Sequence, residues 1–174
     1  MRKRLSEFFE DVPAATRSTP VGLWARRAVL TLFAAILVLA LLDRFGQGTS
    51  ESAAVRPAAT LRVVAPETLR GGLLFQSRVE IRALRDIKLP RLVLDRGWLE
   101  GMQINSIEPA AASESSRAGR LVLSYDELAA GDLLRIWLSF QVNSTYVGRG
   151  SYGLELDDGR VQIARIDRSL TVLP

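Results

Sequence analysis

The segment from residue 148 to residue 153 has a spacing that could do chemistry. Its sequence, GRGSYG, matches the G-x-G-x-x-G pattern that holds the pyrophosphate of a dinucleotide. That pattern works only where a helix begins at the glycines, because the helix N-terminus binds the phosphate groups. Here Leu154 and Leu156 alternate with polar residues up to Asp158-Gly159, which is the pattern of a β-hairpin. The glycines are therefore predicted to connect strands, and no cofactor is expected.

Acidic side chains offer a second kind of chemistry. The candidates for calcium ligands are Asp126, Glu127, Asp132, Asp157 and Asp158. Their spacing does not follow an EF-hand loop, and Asp158 is already explained by its turn, so we expect no metal site. A carboxylate hydrolase would need two acidic residues facing each other across a cleft, and nothing in the spacing indicates such a pair.

The composition excludes most catalytic designs. The chain has neither cysteine nor histidine, which removes thiolate nucleophiles, the usual zinc sites and the Ser-His-Asp triad. Nearly all of its positive charge is arginine, which cannot act as a general base. We therefore predict no catalytic residues and a protein that is not an enzyme.

Four aromatic residues are the candidate interaction site. Trp98, Trp137, Tyr146 and Tyr152 are predicted to lie on exposed faces of the fold. If they cluster, they would form a platform on which sugar rings or a partner protein could stack. The alternative is that each one covers the second face or an edge of the sheet structure.

Charge argues against a nucleic-acid partner. The chain has 23 Lys and Arg residues against 19 Asp and Glu residues, a formal net charge of +4 at pH 7. In the C-terminal part the two signs are interleaved, as in Arg78, Glu80 and Arg82. This pattern is typical of a solvated, mixed-charge surface rather than of a basic nucleic-acid stripe.

An apolar run near the N-terminus is the strongest signal in the chain. Residues 28–42 carry no charge, and a helix over residues 23–45 would be about 34 Å long, enough to cross a bilayer with Arg26-Arg27 reaching back to the interface. The alternatives are a buried core helix and a cleavable signal peptide with a small-x-small site at 46–48. We predict a retained transmembrane helix, with the lipid bilayer as its partner.

The flanking charges predict the orientation of this helix. Six basic residues precede the run, and only Arg44 and Arg56 follow it closely. By the positive-inside rule, residues 1–22 form a cytoplasmic tail and the C-terminal part lies outside the cell membrane.

The rest of the chain is predicted to be a linker followed by a β domain. Residues 46–59 are small and polar without periodicity, which indicates a linker. From residue 60 to residue 174 the apolar period is two, most clearly in LLRIWLSFQVN at 133–143. Seven or eight short strands are expected there, forming an antiparallel immunoglobulin-like β-sandwich, with a mobile loop at 108–119.

Residues 125–159 resemble a stretch common in bacterial extracytoplasmic immunoglobulin-like domains. A Leu-x-x-Gly turn at 128–131 leads into a long apolar strand, and a glycine-containing turn and a strand ending in Asp-Gly follow. The Cys-Trp-Cys core of antibody domains is absent, so Trp137 is not obviously the packed tryptophan of that family. The layout of anchor and outer domain also resembles that of single-pass membrane proteins from bacteria whose proteins are rich in arginine. This resemblance implies no particular activity.

These features together predict a membrane-anchored envelope protein. Its outer domain would be a protein-interaction or structural module, such as an accessory subunit of another membrane or envelope protein. The alternative is a module that binds cell-wall polysaccharide through its exposed aromatic residues, which would then have to converge on one patch.

Overall fold

The computed structural model describes residues 20–41 and 48–174, which belong to two separate compact units. The first described part is helix α1 (Pro20–Leu41), and the second is a domain of β-strands. Of the tail predicted for residues 1–22, residues 1–19 lie outside the described part of the chain. Residues 42–45, the predicted end of the transmembrane helix, also lie outside it.

Helix α1 begins three residues before the predicted start at residue 23. Its 22 residues rise by about 33 Å, and it is long and apolar enough to cross a membrane. Pro20 occupies the first helical position, where a missing backbone N–H costs no hydrogen bond. The hydroxyl of Thr31 donates a 2.8 Å hydrogen bond to the carbonyl oxygen of Arg27, so the helix itself satisfies this polar group.

The β domain contains thirteen strands among the described residues, together with one 3₁₀ turn at Arg96–Trp98. The first seven strands are β1 (Thr49–Val55), β2 (Ala59–Pro66), β3 (Thr68–Arg70), β4 (Leu74–Ala83), β5 (Pro90–Leu94), β6 (Met102–Glu108) and β7 (Ser113–Arg117). The others are β8 (Arg120–Ser124), β9 (Leu133–Val142), β10 (Gly148–Ser151), β11 (Leu154–Asp158), β12 (Val161–Ile166) and β13 (Ser169–Leu173).

These strands form three sheets. Sheet 1 has the order β1-β2-β4-β9-β6, and sheet 2 has the order β12-β11-β5-β8-β7, with antiparallel neighbours throughout. Sheet 3 is a short ribbon in the order β10-β13-β3, in which β13 and β3 run parallel.

Sheets 1 and 2 pack face to face over a single apolar core. Alternate residues of β9 point inward, and Ile136, Leu138 and Phe140 are fully buried, as the period of two predicts. Sheet 2 supplies Leu92 and Leu154 to the same core. Burying each such side chain contributes roughly 1.5–3 kcal/mol. The prediction of an antiparallel β-sandwich is confirmed.

The number of strands exceeds the seven or eight expected from the sequence. The additional strands include β3, β7 and β10, which have three to five residues and are made largely of serine, glycine, threonine and arginine. They pair through their backbones and have no apolar alternation, so a hydrophobic pattern cannot reveal them. Strand β7 also replaces part of the mobile loop predicted at 108–119.

The prediction of a linker over residues 46–59 is wrong for the residues of β1. Strand β1 pairs with β2 along its whole length, from Thr49 opposite Pro66 to Val55 opposite Thr60. The domain therefore begins before residue 60. Strand β1 alternates polar and small residues with only Ala54 buried, which is why its sequence is typical of a linker.

Candidate interaction surfaces

Two of the four aromatic candidates belong to the core. Trp98 is 1% exposed and Tyr152 is 2% exposed, and their rings meet edge to face with centroids 5.5 Å apart. The indole Nε1 of Trp98 donates a 3.2 Å hydrogen bond to the carbonyl oxygen of Gly153. Burial raises the pKa of the Tyr152 hydroxyl well above its usual value. The prediction that these two rings are exposed is wrong, because both pack in the apolar core of the β domain.

The other two candidates lie on different surfaces. Tyr146 is half-buried against Gly101, whose positive φ of 68° and missing Cβ leave room for the ring. Trp137 is half-buried on the outer face of sheet 1, whereas the core ring of Trp98 packs at a tilt of 35° against Phe140 of the inner face. The four rings therefore do not converge on one exposed patch, and no observation favours a platform for sugar rings.

Trp137 lies in a row of cross-strand neighbours on the outer face of sheet 1. Arg78 is its partner on β4, and the guanidinium carbon of Arg78 lies 5.4 Å from the centroid of the indole ring. Two residues along the strands, on the same face, the Nε of Arg135 donates a 2.9 Å hydrogen bond to Glu80. A tryptophan covered by an arginine and surrounded by charge is an amphipathic surface of the kind that protein interfaces use.

The glycine motif at residues 148–153 connects strands, as predicted. Residues 148–151 form β10, and the chain enters β11 at Leu154 without a helix between them. Gly153 is closely packed, since a Cβ there would overlap the carboxylate of Asp95 unless that side chain moved out of its ion pairs. The hairpin at Asp158-Gly159 is also confirmed, with a φ of 63° at Gly159.

Most of the acidic residues considered as calcium ligands have other partners. Asp132 accepts a 2.9 Å hydrogen bond from the backbone of Ala129, and Asp158 accepts one of 3.0 Å from the backbone of Leu89. Glu127 pairs with Lys88. Within residues 20–41 and 48–174, no group of three acidic side chains is close enough to hold a metal ion.

A set of ion pairs, which we call the ion ring, joins strands β8, β11 and β12 of sheet 2 to the residue that follows β5. It consists of Asp95, Arg120, Glu155 and Arg165. Each arginine contacts both carboxylates, including 3.1 Å from Arg120 to Asp95 and 2.9 Å from Arg165 to Asp95. Arg165 donates hydrogen bonds to both carboxylates. Arg120 forms salt bridges with them, but its N–H groups do not have hydrogen-bond geometry.

The ion ring is balanced and partly shielded from water. The side chains of Asp95 and Glu155 are only 15% and 13% exposed, and two negative charges meet two positive ones within the ring. Outside the ring, Arg165 also donates a 2.7 Å hydrogen bond to the exposed Asp167. Removing one member would leave an unpaired, half-buried charge. Because its charges satisfy one another, the ring is a structural feature rather than a vacant binding site.

An open groove lies beside the ring on the outer face of sheet 2, and we call it the serine-arginine groove. Its volume is about 820 Å³. Its polar lining includes the arginines Arg91, Arg117, Arg120 and Arg160 and the serines Ser113, Ser115 and Ser124. The floor contains Val93 and Val122, which are direct cross-strand neighbours. Sequence reasoning missed this groove, because residues 113–117 were predicted to be a loop.

Asp157 is the acidic residue of the groove lining. Burial is the main cause that raises the pKa of this carboxyl above its usual range, and the negative charge of Glu155 is the second. The positive charges of Arg120 and Arg91 lower the pKa in part. Its Oδ1 is buried and accepts no hydrogen bond from the described residues. The carboxyl is therefore poorly satisfied in its charged form.

Comparisons with known proteins give only distant likenesses. No model of a known protein family matches the chain, and curated proteins give no match. Among solved structures, the chain is similar to CaCohA2 from Clostridium acetobutylicum, with a TM-score of 0.44 and 14% identity over 67% of this chain and 92% of that one. It is also similar to a non-cellulosomal cohesin from Archaeoglobus fulgidus, with a TM-score of 0.40 and 12% identity over 62% and 86% of the two chains. Likenesses at this level do not identify a family or an activity.

Proposed function

We propose that the chain is a single-pass protein of the bacterial cell membrane, with its N-terminus in the cytoplasm and its β domain outside. The outer domain, of immunoglobulin-like type, is a non-enzymatic module that binds another membrane or envelope protein. In the form we favour, the chain is an accessory subunit of that partner.

The observation that carries this proposal is the exposure of apolar side chains on every side of α1 between residues 21 and 39. All side chains from residue 21 to residue 39 are exposed, including Trp24, Leu30 and Phe33. A helix of a soluble domain has one polar face, whereas a helix that is apolar on all sides belongs in lipid or among other helices. Transfer of this surface out of water is favourable by roughly 25 cal/mol per Å².

The charges at the start of α1 support the orientation. Arg26 and Arg27 lie in its second turn, and the guanidinium carbon of Arg27 is 5.8 Å from the ring centroid of Trp24. Arginine and tryptophan favour the interface between lipid headgroups and hydrocarbon. This end of the helix therefore suits the cytoplasmic surface.

Trp137 and Arg78 support the role in protein interaction. Tryptophan and arginine are enriched among the residues that dominate binding energy at interfaces. Here they stack on each other in the middle of a sheet face, between polar neighbours. A partner that covers this pair would bury an aromatic surface and replace water around one arginine.

The proposal is tested by crosslinking the full-length chain in its native membranes. Three forms are compared: the wild type, Trp137→Ala, and the control Gln141→Ala, which alters an exposed residue of the same strand face. We expect all three forms to stay in the membrane pellet after an alkaline wash. A specific membrane protein should crosslink to the wild type and to the control, with a yield lower by at least about fivefold for Trp137→Ala.

Two results would contradict the proposal. Release of the wild type by the alkaline wash would show that α1 does not anchor it. An identical crosslinking pattern for all three forms would remove Trp137 from the interaction.

A further inference from the structure

We propose that the serine-arginine groove binds an extended acidic segment of a partner protein. The segment carries two acidic residues four positions apart and a small apolar residue midway between them. This inference rests on the proposed function and names the chemistry of a partner at a second surface, on sheet 2.

The charge of the groove calls for an anionic ligand. Four arginines and one carboxylate line it, and one of these arginines is neutralised by the ion ring, which leaves an excess of two positive charges. Arg117 and Arg120 are directly opposite each other at the end of the β7-β8 hairpin, where like charges repel. The ion ring neutralises Arg120, but neither Arg117 nor Arg160 forms an ion pair with the described residues. A bound carboxylate would supply the charge that these two arginines lack.

The spacing of the arginines defines the length of the ligand. Arg91 is opposite Ser124 on β8, and Arg120 lies four residues away on the same strand. At roughly 3.3 Å per residue, the two ends of the groove are about 13 Å apart. Residues i and i+4 of an extended peptide have the same separation and point to the same side.

The middle of the groove differs chemically from its ends. Val93 and Val122 form an apolar strip, with Ser115 beside Val122 in the same row. The strip lies between Arg91 at one end of the groove and the pair of Arg117 and Arg120 at the other. A small apolar side chain at position i+2 would lie over this strip. Serine hydroxyls can donate to carbonyl oxygens and accept from N–H groups of the peptide backbone.

An acidic polysaccharide fits this arrangement less well than a peptide. Sugar rings usually stack on aromatic side chains, and no aromatic residue lines the groove. A polyanion with charge on every unit would also place charged groups over the valine strip. An acidic polysaccharide is therefore the competing outcome of the experiment.

The test measures binding of a labelled peptide to the full-length protein in a neutral detergent. The peptide is Ser-Glu-Ser-Val-Ser-Glu-Ser, and its control has glutamine in place of both glutamates. The groove variant combines Arg117→Gln with Arg160→Gln, two exposed residues that make no side-chain hydrogen bond with the described residues. Arg82→Gln is the control for loss of positive charge away from the groove, because it removes an exposed arginine from the outer face of sheet 1.

We expect the peptide to bind the groove variant at least about tenfold more weakly than the wild type. Its affinity for Arg82→Gln should equal that for the wild type. Asp157→Asn removes the carboxylate of the groove, so it should bind the peptide more tightly than the wild type. The glutamine peptide should bind weakly to every form. Higher salt should weaken the specific binding, because the arginines involved are exposed.

Three outcomes would overturn the inference. These are equal affinity for the groove variant and Arg82→Gln, equal binding of the two peptides, or tighter binding of polygalacturonate through the same arginines. The third result would assign the groove to an acidic polysaccharide instead. Because this assay involves neither a bilayer nor Trp137, a failure here together with a Trp137-dependent crosslink would reject the groove ligand and leave the proposed function standing.

Discussion

The guanidinium of Arg168 forms hydrogen bonds with Ser50, which lies 118 residues earlier in the chain. It donates a 3.2 Å hydrogen bond to the carbonyl oxygen of Ser50 and a 2.8 Å hydrogen bond to its hydroxyl. Further bonds reach the hydroxyl of Ser52 at 2.9 Å and the carbonyl oxygen of Ala65 at 2.9 Å. One side chain therefore joins β1, β2 and the start of β13. Burial lowers the pKa of Arg168 from its usual value.

Replacing Arg168 with alanine should loosen β1 selectively. The change removes four hydrogen bonds and leaves partly buried acceptors without a donor, at a cost of about 1–3 kcal/mol. Hydrogen exchange of the backbone amides of β1 should accelerate by about tenfold or more, while the amides of β9 stay protected. Arg149→Ala, which removes a single hydrogen bond to Ser169, is the control. Unchanged exchange in β1 would show that backbone pairing with β2 alone holds this strand.

Gly97→Ala should destabilise the β domain. The 3₁₀ turn brings Gly97 against the backbone of β10, and a Cβ there would overlap the carbonyl oxygen of Ser151. Since that oxygen belongs to the backbone, relief requires movement of a strand, at a cost of about 1–3 kcal/mol. The control is Gly48→Ala, because a Cβ on Gly48 meets no other atom. Chemical denaturation should show a lower midpoint for Gly97→Ala alone, and equal midpoints would contradict the packing described for this turn.

Asp157→Asn should stabilise the protein, and more so at neutral than at acidic pH. The pKa of Asp157 is raised in the folded state, mainly by burial, so between its usual and raised values the folded chain binds more protons than the unfolded chain. Stability contributed by this residue therefore falls as the pH rises through that window. Asparagine cannot ionise, so the variant does not lose this stability as the pH rises.

The measurement is the free energy of unfolding at about pH 3 and about pH 7 for the wild type, Asp157→Asn and the exposed control Asp126→Asn. The gain of Asp157→Asn over the wild type should be larger at the higher pH. A gain that is the same at both values, or a loss at the higher one, would show that Arg91 and Arg120 fully stabilise the charged carboxylate.

The central strands of the domain could be predicted from the sequence because one of their faces is buried. In β9 and β4 the inward residues are apolar and the outward residues polar, so the period of two is visible. The Asp158-Gly159 turn was also predictable, since its backbone geometry demands glycine. Helix α1 was found from its composition alone.

The candidate site could not be predicted because it depends on contacts between residues far apart in sequence. Trp98 and Tyr152 show no periodicity that distinguishes a ring in the core from an exposed one. Strands β1 and β7 lie at sheet edges, where few side chains are buried, so their sequences are typical of linkers and loops. The serine-arginine groove follows from the pairing of β7 with β8, which only the structure reveals.

The most direct test of the account is the side of the membrane on which the β domain lies. The chain has no cysteine, so single-cysteine variants report position without background. Ser116→Cys places the thiol at an exposed position on β7, and Ser18→Cys places it in the predicted tail. A membrane-impermeant maleimide should label Ser116→Cys in intact spheroplasts and Ser18→Cys only after lysis. Labelling of Ser18→Cys without lysis, or protection of Ser116→Cys until lysis, would contradict an anchored protein with an outer interaction domain.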